Sequence, residues 1–470
     1  MATPSPLLRV IFRYFFPCRR GVSLHALHGL AVILLPIAVI AVLRRGVVQA
    51  SAVTLAYALA AYLLTNGHAD LPGILANGLI TGLQISSIIF TAIYFYNVQR
   101  GLGVEEELKR RIGSQGAPFL YIAVFFSGFV ESFSGYGVPP AVVAPLLLSA
   151  GLDPFRATVS VVVGHTWAVP LASIGVPTAV LAALTEVDVG QLAAATVVSG
   201  SLSLAAIIAL VSAKYLRQGA REILPAFALA LLFALLGPVT KVYSAAVLGL
   251  VGLTLGLVLS GGLGRALETL VVLRYYLLLV LLLLASNLLG FGGLQYTFLV
   301  ILAAALLSQF LERKFSRDAL RRSISMTTRS IIAVVLFAVV AELVKRGGYM
   351  RSLALILAEV AGPLYALAVP IVGAVGAYAT GSATTSNLIF STLQKSYADA
   401  VGFDAVALLA LQNVGGGLGG MVSPAKIAVA ASTTGGKELE PRLFREGWKA
   451  LSVVIFPQVL VAFLLLLGRG

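Results

Sequence analysis

The chain has 470 residues, of which 59% are hydrophobic and 11% charged, with a net charge of +14. A soluble chain carries roughly a quarter charged residues, so this one has too few to solvate a water-exposed surface, and lipid must cover its middle. The single cysteine excludes an internal disulfide, the four histidines form no Cys/His metal pattern, and no GxxxxGK(S/T) loop is present to drive a nucleotide-powered pump.

Residues 1–22 are basic and aromatic, and the run Leu7 to Phe16 is too short to cross; this segment reads as interfacial. A crossing helix needs about 20 apolar residues. That length predicts spans near 24–43, 47–65, 73–97, 190–213, 223–240, 243–260, 275–290, 296–311, 330–345 and 450–467. Period-2 alternation is absent, which argues against a β-barrel. His25 and His28 sit three apart at the mouth of a span and read as interfacial packing. Glu105 to Arg111 and Arg313 to Arg329 read as amphipathic helices lying on anionic lipid. Lysines and arginines cluster in the loops, so the positive-inside rule explains the net charge better than nucleic-acid binding does.

Two stretches, 116–182 and 362–432, are apolar but interrupted by Gly, Pro, Ser and Thr. Facing lipid, such breaks would leave backbone groups unbonded at several kcal/mol each, so they belong where protein or a water-filled cavity supplies partners. The two stretches share an order: a polar break, a helix, a Gly-apolar-Asp turn (Gly151 to Asp153; Gly402 to Asp404), a second helix, a second polar break and a proline (Pro177; Pro424). The order predicts an all-α polytopic membrane protein built as an inverted repeat, with re-entrant hairpins at 116–150 and 362–400 and broken transmembrane helices at 155–182 and 403–432, as in ion transporters. The halves run 23–215 and 216–470. On this topology about twice as many basic residues fall on one side, which is then the cytoplasm; Arg9, Arg13, Arg19 and Arg20 are left outside.

The motifs resemble the L-lactate permease family of prokaryotic membrane transporters. Phe129-Val-Glu131-Ser-Phe-Ser-Gly135-Tyr-Gly137-Val-Pro139 is similar to that family's Phe-x-Glu-Gly-x-x-Gly-Phe-Gly-x-Pro. Thr380-Gly381-Ser382-Ala-Thr384-Thr385-Ser386-Asn387 resembles its Thr-Gly-Ser-Asp-Thr-Ser-Ser-Asn. The run from Asn413 through the glycines to Met421-Val-Ser423-Pro424 resembles its Asn-Thr-Thr-Gly-Gly run ending in Met-Ile-Ser-Pro. The resemblance implies uptake of lactate or a related 2-hydroxy monocarboxylate with a proton. It also implies kinship with transporters that move a substrate domain against a scaffold. Four positions depart from the pattern. Ser132 stands for Gly, His165 for Asn and Ala383 for Asp, and a lysine near the glycine run is missing while Lys426 follows the Ser-Pro.

Glu131 lies about 18 Å along its helix at 1.5 Å per residue, near the middle of a roughly 30 Å hydrocarbon layer. A carboxyl there that gains and loses a proton suits proton coupling; capping of the break is the plainer reading. His165 either relays a proton or is a neutral hydrogen-bonded group. Ser382, Thr384, Thr385, Ser386 and Asn387 supply donors beside a helix start, where free N–H groups and the dipole favour a carboxylate; N-capping would need only one of them. Lys426 can neutralise a substrate carboxylate, pair with Glu131, or snorkel to the cytoplasmic edge. Gly415 and Gly416 allow backbone approach to a ligand or tight helix packing. The candidate substrate set is completed by Ser132, Ser134, Gly135, Gly137, Thr166, Asn413 and Ser423.

These residues predict a multi-pass transporter in the plasma membrane of a prokaryote. It would move a small organic anion, lactate first, by proton symport, without a cofactor, metal or nucleic-acid partner; membrane lipid surrounds it, and a homodimer is one candidate assembly. The alternatives are sodium as the coupling ion and another anion such as a dicarboxylate, which would need two cationic or helix-end sites. A membrane enzyme lacks any visible Asp dyad, His pair or Ser–His pair, and a passive channel would fail to concentrate substrate.

Overall fold

The structure is a computed structural model that describes residues 23–68, 70–112, 118–135, 138–291, 294–434 and 436–468. The expected interfacial segment 1–22, the start of the first hairpin at 116–117, and Gly137 lie outside the described residues. Among the described residues the regular structure is helical, without strands, as the sequence predicts. Eight helices there are long and apolar enough to cross a membrane, or nine if one bent pair counts as a single span. The protein is thus an all-α, multi-pass membrane protein.

The helices run α1 (Leu24–Ile37), α2 (Val47–Asn66), α3 (Leu71–Gly101), α4 (Val104–Ile112), α5 (Phe119–Ser134), α6 (Val138–Ser149), α7 (Pro154–Gly164) and α8 (Ala172–Thr185). There follow α9 (Val189–Leu210), α10 (Ala220–Thr240), α11 (Ser244–Val272), α12 (Arg274–Leu288), α13 (Leu294–Leu311), α14 (Arg317–Arg346) and α15 (Tyr349–Val360). The last five are α16 (Val369–Thr380), α17 (Ala383–Val401), α18 (Ala405–Gly419), α19 (Pro424–Ser432) and α20 (Glu440–Leu467). The short α4 carries Glu105, Glu106 and Glu107 in its first turn and matches the expected charged helix. The basic run after Arg313 differs from expectation. From Arg317 it forms the first turns of the 30-residue α14, capped by the Ser316 hydroxyl, rather than a separate surface helix.

One packed unit is α3 against α14, antiparallel. Added methyls at Gly78 and Gly82 would lie 2.6 and 2.7 Å from the Cα atoms of Val339 and Val335, so small residues let the two backbones approach. At the other end of this pair, Asn97 donates to Ser323 at 2.9 Å, and Gln99 donates to Ser308 of α13 at 3.0 Å.

The two interrupted stretches fold in the same order of elements. In each, two helices meet at a glycine with positive φ: Gly135 (60°) between α5 and α6, Gly381 (75°) between α16 and α17. A left-handed turn glycine follows, then an aspartate whose carboxylate caps the next helix: Asp153 accepts from Arg156 N–H, and Asp404 from Val406 N–H. Each capped helix ends in a short 3-10 turn, Val169–Leu171 or Gly420–Val422, before α8 or α19. Helices α7 and α8 bend by 57° at their break. The arms α5 and α6, of 16 and 12 residues by their bounds, are shorter than a span, whereas Gly362–Thr380 reaches 19 residues.

Ion pairs join helix ends and loops distant in sequence: Arg111–Glu268 (2.8 Å), Arg274–Glu312 (2.5 Å), Lys214–Glu446 and Lys345–Glu186 (2.5 Å).

Candidate functional site

The four breaks converge. A methyl on Gly135 would come within 2.6 Å of Ser173 Oγ, so the tip between α5 and α6 rests on the break before α8. A methyl on Gly381 would lie 3.3 Å from Ser423 Oγ, so the tip between α16 and α17 rests on the break before α19. A cavity of ≈ 40 Å³ is lined from all four: Glu131 and Gly135, Ala172 to Ser173 and Pro177, Gly381 to Thr384, and Lys426. A larger cavity of ≈ 200 Å³ shares Gly381, Ser382, Thr384 and Lys426 with it. Its other walls are Thr380 and Thr385, Ser330, Ala333 and Val334 of α14, Val47 of α2, and Ala425 and Val429 of α19.

The local backbone explains these placements. Glu131 lies in the last turn of α5, where its carbonyl accepts from Gly135 N–H at 3.0 Å. Its side chain is 1% exposed, and Oε2 has no hydrogen-bond partner. Ser173 and Ile174 adopt left-handed φ values of 48° and 59° just before Gly175. A β-branched residue in that region is a genuine outlier, costing on the order of 1–3 kcal/mol, and Ser173 lines the smaller cavity. Ser382 caps α17 by accepting from Thr385 N–H at 3.2 Å. The first amides of α17 lack intrahelical carbonyl partners, and Ala383 and Thr384 line the smaller cavity. Lys426, in the first turn of α19, is 8% exposed.

The sequence candidates therefore divide. Glu131, Gly135, Ser382, Thr384, Thr385 and Lys426 line the two cavities. Others stand behind them. Ser132 and Ser134 bond back to Phe129 O and Val130 O (both 2.7 Å), and Thr166 to Val163 O (2.8 Å). His165 is buried, with Nδ1 2.7 Å from Val161 O and Nε2 without a partner. Ser423 is buried at the Gly381 tip.

Asn387 and Asn413 form the centre of an inter-helix network. Asn387 Nδ2 donates to Pro177 O (3.0 Å) and to Asn413 Oδ1 (2.9 Å). Asn413 Nδ2 donates to Thr178 Oγ1 (2.8 Å) and Thr196 Oγ1 (3.2 Å). Ser386 donates to Gly373 O at 2.8 Å. The glycines pack: a methyl at Gly415 would overlap Pro370 O, and one at Gly417 would sit 2.6 Å from Pro170 Cδ. Gly416 has more room, its nearest atom being 3.7 Å away.

Sequence reasoning missed the wall from α14 and α2. Ser330, Ala333 and Val334 sit in a run that reads only as a span, without any local signal. Thr380 and Pro177 lie inside the quoted breaks as polar and helix-breaking residues, whereas Ser173, just outside the quoted residues, was missed.

The profile described as L-lactate permease matches residues 25–277 and 285–467. An L-lactate permease of Halalkalibacterium halodurans is 24% identical over 429 residues, covering 77% of this chain and 81% of that protein. One of Escherichia coli K12 is 26% identical over 460 residues, covering 78% and 82%. A glycolate permease of the same strain is 38% identical over 116 residues, 25% of this chain and 20% of that protein.

Proposed function

Since the chain belongs to the L-lactate permease family, we propose that it is a secondary active transporter of the prokaryotic plasma membrane that takes up lactate or a closely related 2-hydroxy monocarboxylate by proton symport. The observation that carries this is the larger cavity's lining: one ammonium, several hydroxyls and a short apolar wall. One cation suits one carboxylate. The hydroxyls of Ser382, Thr384 and Thr385 suit its charge and the 2-hydroxyl, and Ala333, Val334 and Val429 suit a methyl. The N-terminus of α17 adds a positive dipole end. At ≈ 200 Å³ the space fits a three-carbon acid and falls below the roughly 300 Å³ at which drug-sized ligand pockets begin.

Among the described lining residues Lys426 is the one basic side chain, which favours a single carboxylate; a dicarboxylate would have to take the α17 N-terminus as its second position within ≈ 200 Å³. Glu131 is the proton-coupling group in this reading, since it is buried and faces the smaller cavity. The matched order of elements supports an inverted repeat in which 116–150 and 362–400 enter from opposite faces and meet at the cavities. The halves divide between 23–215 and 216–470.

The test is uptake of labelled lactate into proteoliposomes, with competitor acids and imposed pH or sodium gradients. Accumulation driven by an inward proton gradient, abolished by a protonophore and inhibited by glycolate more than by dicarboxylates, is the expected outcome. Accumulation that follows sodium and ignores protons refutes the coupling.

A further inference from the structure

The two chambers meet at Lys426 and differ in what else they hold. The larger one has hydroxyls and apolar groups but no acid in its lining; the smaller one has Glu131. The Lys426 ammonium lies against Gly420, where an added methyl would come within 3.0 Å of Nζ. The glycine thus keeps open the room the ammonium fills. Glu131 Oε2 is buried without a hydrogen-bond partner. Among the described residues, Lys426 makes no ion pair within 4.0 Å, yet it lines the smaller cavity together with Glu131.

We infer that Lys426 is a shared counter-charge: it balances ionised Glu131 across the smaller chamber in the empty carrier, and the substrate carboxylate in the larger chamber when the carrier is loaded. The inference rests on the larger cavity being the monocarboxylate site. One buried ammonium balances one carboxylate. A loaded carrier with Glu131 still ionised would hold an uncompensated buried anion, which is strongly unfavourable. Proton uptake by Glu131 removes that anion. The step balances as carrier carboxylate plus proton plus substrate anion giving carrier carboxylic acid with bound anion. One proton enters per monocarboxylate, and the net charge of the loaded carrier equals that of the empty one.

Other titratable groups face α5 as well. His165, at the end of α7, has its Nδ1 held by Val161 O. Tyr276 of α12 packs in tilted and edge-to-face contact, with ring centroids at 5.4 and 5.0 Å, against Phe129 and Phe133, either side of Glu131 in the sequence. The cavity-lining residues of α8, α14, α16 and α17 include no acid or base. The shared lysine therefore predicts that Glu131, and not these groups, carries the linkage.

The test is calorimetric titration of lactate into the purified full-length protein, from mildly acidic to mildly alkaline pH, in buffers of different ionisation enthalpy. Thermal unfolding confirms that each variant is folded. Wild-type affinity weakens as pH rises, and about one proton is taken up per lactate. Glu131→Gln binds at the acid-limit affinity at every pH and takes up no proton. Lys426→Gln binds ~10–100-fold more weakly, and its residual affinity no longer changes with pH, because what Glu131 competes for is gone. Residual binding in Lys426→Gln that keeps the wild-type pH dependence overturns the sharing, since Glu131 would then act by direct repulsion. A pH-dependent affinity in Glu131→Gln overturns it too, and assigns the linkage to another group if His165→Asn removes that dependence. Absence of lactate binding by folded wild type overturns the monocarboxylate reading of the larger cavity itself.

Discussion

Asn387 is the residue at which a substrate contact and a structural bond can be told apart. The sequence places it in a donor-rich run beside a helix start; the structure gives both of its amide hydrogens to Pro177 O and Asn413 Oδ1. Asn387→Ala would remove both bonds and leave Asn413 Oδ1 buried without this donor, whereas Pro177 O stays in the backbone ladder of α8. In a soluble core such an unpaired acceptor costs about 1–3 kcal/mol. Inter-helix bonds in a membrane average only about 0.6 kcal/mol, because the unfolded reference also finds partners. A net loss of ~1–3 kcal/mol follows when the cavity left by the amide is added. Thermal unfolding in detergent should shift down by a few degrees, and lactate affinity of the folded fraction should change by less than about threefold, the scale of a peripheral effect. A variant with wild-type unfolding temperature and lost binding would refute this placement and return Asn387 to the substrate.

Thr384→Val keeps shape and removes a cavity hydroxyl; affinity should fall ~2–10-fold, the worth of one hydrogen bond, with the unfolding temperature unchanged. Ala333→Phe fills the α14 wall of the larger cavity; proteoliposome uptake should be lost while the protein still elutes as a folded species, and normal uptake would show that the substrate does not pass this wall. Gly417→Ala should cost ~1–3 kcal/mol by overpacking against Pro170, whereas Gly416→Ala, with its nearest atom at 3.7 Å, should be tolerated; equal stability of the two variants would contradict the packing described.

Much of this was legible in the sequence, for one physical reason. Backbone breaks inside apolar stretches need partners, so Gly135, Gly381 and Pro177 marked cavity-lining positions before any coordinates, whereas Pro424 marked the break beside the lining residues Ala425 and Lys426 and is itself exposed. The Asp153 and Asp404 caps were visible as repeated turns. Two kinds of information were not local. Ser386, Asn387 and Asn413 have the composition of a binding run, and only the three-dimensional arrangement reveals that Gly373, Pro177, Thr178 and Thr196 take up their donors. Ser330 and Ala333 carry no sequence signal because a wall needs only small residues, and a span contains many. The basic run after Arg313 misled for a related reason. A strongly polar start does not stop a helix from continuing into lipid, and α14 does so without a break.

The packing also separates what can move from what cannot. Helices α16 and α18 approach so closely at Gly373, Gly415 and Gly419 that no methyl fits between them. The Asn387–Asn413 network ties α17 and α18 to α8 and α9. Interlocked backbone contacts of this sort resist sliding, since any shift by a fraction of a side chain produces overlap. These helices therefore behave as one block that carries the hydroxyls and, through the short link from Gly420 to Ser423, Lys426. The opposite wall of the larger cavity, Ser330 to Val334, belongs to the α3–α14 pair, which has its own close contacts at Gly78 and Gly82. Between the two sets lies the cavity, whose facing residues on α14 are small and form no hydrogen bond across it among the described residues.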